Sequence, residues 1–62
     1  MTHELFPDEI VDLVSDSRIE RLRDKQDVMD LAARLAQAFG AGQMQGEIAA
    51  ALTQRRSRLL VP

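Results

Sequence analysis

Apolar residues recur with helical spacing on both sides of Gly40-Ala41-Gly42. Before the glycines, Val28, Leu31, Ala32, Leu35 and Phe39 fall at i, i+3, i+4, i+7 and i+11. After them, Met44, Ile48, Ala51, Leu52 and Leu59 fall at i, i+4, i+7, i+8 and i+15. Each set is one face of a 3.6-residue helix. The pattern predicts a helix over about 25–39, a second over about 43–60, and a helical hairpin between them. Alanine and leucine, both strong helix formers, dominate the first of these helices. Gly40 follows Phe39 where a helix-ending residue with positive φ belongs. Gly46 weakens the opening turn of the last helix by about 1 kcal/mol relative to alanine, so a start at Gly46 or Glu47 is also compatible with the pattern.

Upstream the pattern is shorter. Pro7 suits a first helical position because its missing N–H would have no partner there. Asp8 and Glu9 then meet the positive end of the dipole. Ile10, Val11, Leu13 and Val14 supply an apolar side, predicting a helix over about 7–14 on which Leu5 and Phe6 pack back like a staple. Ser15-Asp16-Ser17 reads as a break, and Ser17 with Glu20 has capping-box spacing for a second segment carrying Ile19 and Leu22. The apolar stripe changes phase across Arg23-Asp24-Lys25-Gln26, so a break is expected there, with Asp24 or Asp27 as cap. One continuous helix over 17–39 is the competing reading. Residues 1–6 are expected to be a loose terminus, and no stretch reads as a strand. The fold class is therefore all-α. Residues 1–62 make a single small bundle of three to four helices with a C-terminal hairpin at 25–60, completed by dimerisation or by a partner.

The expectation of a partner comes from size. Sixty-two residues hold a core worth roughly 3–5 kcal/mol, and chains this small commonly lean on a disulfide, a metal or another subunit. There is no cysteine and only one histidine, His3, which excludes disulfides and thiolate metal sites and leaves His3 as a spectator. The N-terminal residues have neither the basic nor the apolar region of a secretory signal. The longest apolar run, Ile48 to Leu52, is far too short to span a bilayer. A cytoplasmic protein without membrane contact is expected.

Candidate chemistry is sparse. Glu9, Asp12 and Asp16, at i, i+3 and i+7, place carboxylates on one helical face, but the glycine and alternating ligands of a calcium loop are missing, so no metal is expected. Nucleophile-elbow, zinc-protease and phosphate-loop motifs are absent, and no serine has a histidine near it in sequence. Neither a catalytic site nor a cofactor is expected. Charge is more informative. The overall balance is -2, yet residues 1–31 carry nine acids and four bases while residues 32–62 carry one acid and four bases. Arg55, Arg56 and Arg58 form a basic patch that could touch phosphates. With a pI of about 5.1, the preferred reading is compensation of the helix dipole and pairing with the acidic N-terminal helix.

Two resemblances touch these residues. Met44-Gln45-Gly46-Glu47-Ile48-Ala49-Ala50-Ala51-Leu52 resembles the first helix of a helix-turn-helix, where E-I-A-x-x-L is common. That resemblance implies a turn and a recognition helix after Leu52, yet Thr53 stands where the family usually has glycine, and only ten residues follow Leu52. Residues 13–57, through Leu13-Val14-Ser15, Ile19, Asp24-Lys25-Gln26-Asp27-Val28, Leu31-Ala32, Leu35-Ala36 and Ala51-Leu52-Arg55-Arg56, are similar to the opening of the fructose/nitrogen-type IIA phosphotransferase domains. The phosphorylated histidine of that family lies in a G-I-A-[IV]-P-H motif that this chain lacks, so its chemistry does not carry over. Both patterns consist of common residues, and neither assigns a family.

The functional expectation is a non-enzymatic helical interaction module, such as a small bacterial or phage adaptor, regulator or inhibitor. It would bind another protein or a second copy of itself through Leu31, Leu35, Phe39, Met44, Ile48, Leu52 and Leu59, with Arg55, Arg56 and Arg58 setting orientation. The same apolar residues equally suit an internal core. The alternative is a small DNA-binding regulator using the last helix and its arginines. On either reading the hairpin must form, so Leu35→Asp is expected to abolish folding or association. A Leu35→Asp chain with parental circular dichroism and solution mass would contradict the hairpin.

Overall fold

A computed structural model describes residues 6–61, in which the chain folds as four α-helices: α1 (Pro7–Asp12), α2 (Asp16–Glu20), α3 (Lys25–Ala38) and α4 (Gln45–Leu60). A single 3-10 turn at Gly42–Met44 leads into α4. No strand occurs among the described residues.

Local chemistry sets the boundaries of α3. The Asp24 carboxylate accepts the Asp27 N–H at 3.0 Å, and the Asp27 carboxylate accepts the Arg23 N–H at 3.0 Å. The first bond uses a donor that the opening turn of a helix leaves without a partner, and the second fixes the residue just before the cap. Asp24 itself is extended, with φ -137° and ψ -178°. The chain therefore breaks across 21–24, and 17–39 is two helices, as the phase change suggested. At the other end Gly40 takes φ 64°. The Gly40 N–H donates to the Gln37 carbonyl at 3.2 Å and the Ala41 N–H to the Ala36 carbonyl at 2.7 Å. This is a Schellman ending, and its usual apolar contact is supplied by buried Ala36 and Ala41. The reversal that follows lays α3 against α4.

Helix α4 is the hub: α1, α2 and α3 all pack against it. Ile48 and Leu52, one turn apart, are fully enclosed. Around them the core takes Ile10 and Val11 from α1, Val14 from the following link, Ile19 from α2, and Val28, Leu31, Ala32 and Ala36 from α3. Ala49 and Ala51 are buried on α4, where small side chains let neighbouring backbones come close.

Several expectations shift. Helix α1 stops at Asp12 rather than 14, and Leu13 becomes its C-cap, 67% exposed. At about 100° per residue, Leu13 lies roughly 60° from Ile10, on the side away from Val11 and Val14, so it falls at the edge of the arc those three share rather than within it. Phe6 is the N-cap of α1, but its side chain is 61% exposed and makes no buried staple. Leu5, His3 and most of the expected loose terminus lie outside the described residues. The Ser17–Glu20 capping box does not form. Helix α2 begins earlier, with Ser15 as N-cap and no side-chain cap bond, while the Ser15 carbonyl accepts from the N–H groups of Arg18 and Ile19. That start places Ile19 fully inside the core. Helix α4 begins at Gln45, so Gly46 is tolerated within its first turn.

The burial pattern yields a contrast in stability. Leu52→Ala empties space inside the core and is expected to cost roughly 2–5 kcal/mol. Leu60→Ala, on the exposed side of the same helix, should stay within about 0.5 kcal/mol. Urea denaturation of the two variants checks both values.

Candidate functional site

Helix α4 has three sides, and the candidate residues divide among them. Its inner side carries Ile48, Leu52 and half-buried Leu59. A second side carries Glu47, Ala50, Gln54 and Arg58, all exposed. The third carries Thr53, Arg56, Ser57 and Leu60, which with Val61 line a shallow depression.

The residues picked from the hairpin stripes mostly face inward. Leu31, Ile48 and Leu52 are core. Leu35, Met44 and Leu59 are half-buried against that core. Phe39, at the C-cap of α3, is 38% exposed. In the folded monomer Leu31, Ile48 and Leu52 offer no surface. The large apolar side chains that do reach the surface are Phe6, Leu13, Phe39, Leu60 and Val61. Leu60 and Val61 follow Leu59 directly, so the chain leaves α4 through three consecutive apolar residues. For Leu13 the available signal was its angle around α1.

The three arginines have different settings. Arg55 forms an ion pair with Asp12 of α1, so the acidic and basic ends of the chain meet within one molecule. The Asp12 hydrogen bond holds the Arg55 guanidinium above its ordinary pKa, with the charges of Asp12, Asp16 and Asp8 adding to it and partial desolvation opposing it. Arginine is charged at any pH where the chain would be handled, so this upward shift brings no pH dependence near neutrality. Asp12 faces solvent and Arg55 is half-buried, and pairs this open to water contribute little and weaken with salt. Arg56 instead reaches across the fold. Its Nη2 donates to the Arg23 carbonyl at 2.9 Å, tying α4 to the link between α2 and α3, while its Nε is buried without a partner. Arg58 is exposed. The Arg55–Asp12 pair is the pairing with the acidic first helix that the charge pattern favoured, whereas the tie from Arg56 to Arg23 was not legible, because no local spacing connects the two.

A further depression lies between α2 and α3, lined by Arg18, Arg21, Leu22, Asp27, Asp30 and Arg34 among others. Its carboxylates already serve the fold. Asp27 receives the Arg23 N–H, and Asp30 accepts from the Gln26 amide at 3.0 Å. Among the described residues no group of three or more His, Cys, Asp or Glu side chains is placed to hold a metal ion, and no helix is long and apolar enough to cross a membrane.

The helix-turn-helix resemblance does not survive in the geometry. Thr53, where the turn would fall, sits inside an unbroken α4, and its hydroxyl donates to the Ala49 carbonyl at 2.9 Å. The E-I-A-x-x-L segment is the first half of one long helix, and among the described residues no separate helix follows it. No family model, curated protein or solved structure matches the chain.

The settings of the arginines predict unequal effects. Arg56→Ala removes a charged hydrogen bond to a helix-linking carbonyl and should lower stability by roughly 1 kcal/mol. It should also speed amide exchange over residues 21–24. Arg55→Gln should have a smaller effect that vanishes in high salt. Thermal melts at low and high ionic strength, with hydrogen exchange followed by mass spectrometry, read these outcomes.

Proposed function

We propose that the chain is a non-enzymatic helical protein–protein interaction module, a small adaptor, regulator or inhibitor that binds through an apolar helical surface. The observation that carries this reading is the end of α4. Leu60 and Val61 are adjacent, 57% and 66% exposed, and share a depression with Thr53, Arg56 and Ser57. Single exposed apolar residues are ordinary, but a contiguous pair beside a half-buried leucine, on so small a molecule, favours a surface that is covered when the protein works. The contact set moves outward accordingly. Leu60 and Val61 join Leu59 in place of Leu31, Ile48 and Leu52, and Arg58 remains available to orient a partner.

The alternative of DNA binding through α4 has less in its favour. Arg55 is paired with Asp12 and Arg56 with the Arg23 carbonyl, which leaves Arg58 as the exposed member of the three. A single unengaged arginine offers few phosphate contacts, and nucleic-acid surfaces draw on many.

Site-specific photo-crosslinking separates the two readings. With a photoreactive residue in place of Leu60, cross-linking in cells that make the protein is expected to yield a discrete protein adduct. Adding Val61→Asp should remove it. An adduct to nucleic acid would support the DNA reading, and the absence of any adduct would overturn the interaction surface at this end of α4.

A further inference from the structure

The second side of α4 has a charge order that is complementary to itself. A continuous groove runs along it beside α1. One end is lined by Phe6, Asp8, Glu47 and Ala50, the other by Asp8, Gln54, Arg55 and Arg58, and both stretches share Ala51 and Gln54. Glu47, Ala51, Gln54 and Arg58 follow one another at intervals of four, three and four residues, the spacing of the seam between two packed helices. Glu47 and Arg58 are equally far from the midpoint of this seam, between Leu52 and Thr53, and so are Ala51 and Gln54. A two-fold axis through that midpoint would set Glu47 of each copy against Arg58 of the other, and Ala51 against Gln54.

We infer that this groove receives the α4 helix of a second copy of the chain, antiparallel, in a two-fold dimer. Four features support a second copy as the occupant. The acidic end is matched to the basic end by the symmetry operation itself, as an isologous interface requires. Neither Glu47 nor Arg58 has an ion-pair partner among the described residues. Exposed Ala50 and the small, almost covered Ala51 line the centre of the groove, so no large side chain there holds a second helix away. Phe6, 61% exposed, stands at the Glu47 end, where the aliphatic stem of the incoming arginine would cover it. A parallel arrangement in the same register would instead oppose Glu47 to Glu47 and Arg58 to Arg58. The inference rests on reading the chain as an association module, but it concerns a different side of α4 from Leu60 and Val61.

Sedimentation equilibrium on the full chain at low salt, up to about 1 mM, tests the inference without reference to any other protein. The expected result is a monomer–dimer equilibrium that weakens as salt is added. Glu47→Arg or Arg58→Glu should each weaken the dimer by at least about tenfold, because each change opposes like charges at both ends of the seam. The combined exchange should recover most of that loss. Both reversals also oppose the α4 dipole, so Ala50→Lys serves as a second variant that leaves the helix ends unchanged. It should disrupt the dimer while retaining parental circular dichroism. A monomer at the highest concentration overturns the inference, as does a dimer indifferent to the single reversals, an exchange that fails to recover, or tolerance of Ala50→Lys. A monomer here together with a protein adduct at position 60 would remove the dimer and leave the interaction module standing.

Discussion

Everything in this small fold depends on covering one side of α4. Ile48 and Leu52 are fully enclosed, and the three other helices pack against the helix that carries them. With a core of this size worth only a few kcal/mol, each enclosed side chain matters more than it would in a larger domain. The short helices α1 and α2 are too brief to persist alone. They exist because Ile10, Val11 and Ile19 are fully or almost fully buried once they lie against α4.

The same constraint organises the polar residues. Asp24, Asp27 and Gly40 start and stop α3 so that it turns back onto α4. Arg56 then ties α4 to the Arg23 carbonyl, and Arg55 ties it to Asp12. With two of the three C-terminal arginines engaged in the fold, a basic patch in the sequence becomes mostly an internal brace. What remains outside is a pair of apolar residues at the end of α4 and a groove with Glu47 at one end and Arg58 at the other, the two features on which the proposed association rests.

Residues within one helical turn of each other were the most readable. The hairpin, the glycine ending of α3, the aspartate cap at 24 and the division of 17–39 all follow from spacing and from local backbone satisfaction. The structure departs from that local pattern where two local solutions compete. Ser15 and Ser17 are both reasonable caps, and the start that encloses Ile19 prevailed. Leu13 belonged by composition to the apolar side of α1 but by angle to its edge.

The sequence by itself determined an all-α chain, its long helices and the likelihood of contact between opposite charges at its two ends, because helix periodicity and capping act over a few residues. Tertiary structure decided which side of each stripe lies inside. Leu31, Ile48 and Leu52 could have faced a partner or the core, and the packing of α1, α2 and α3 against α4 enclosed them. It also decided the roles of Arg55 and Arg56, whose partners lie 43 and 33 residues away along the chain. Contacts at such separation arise from the packing of whole helices, and no local pattern encodes them.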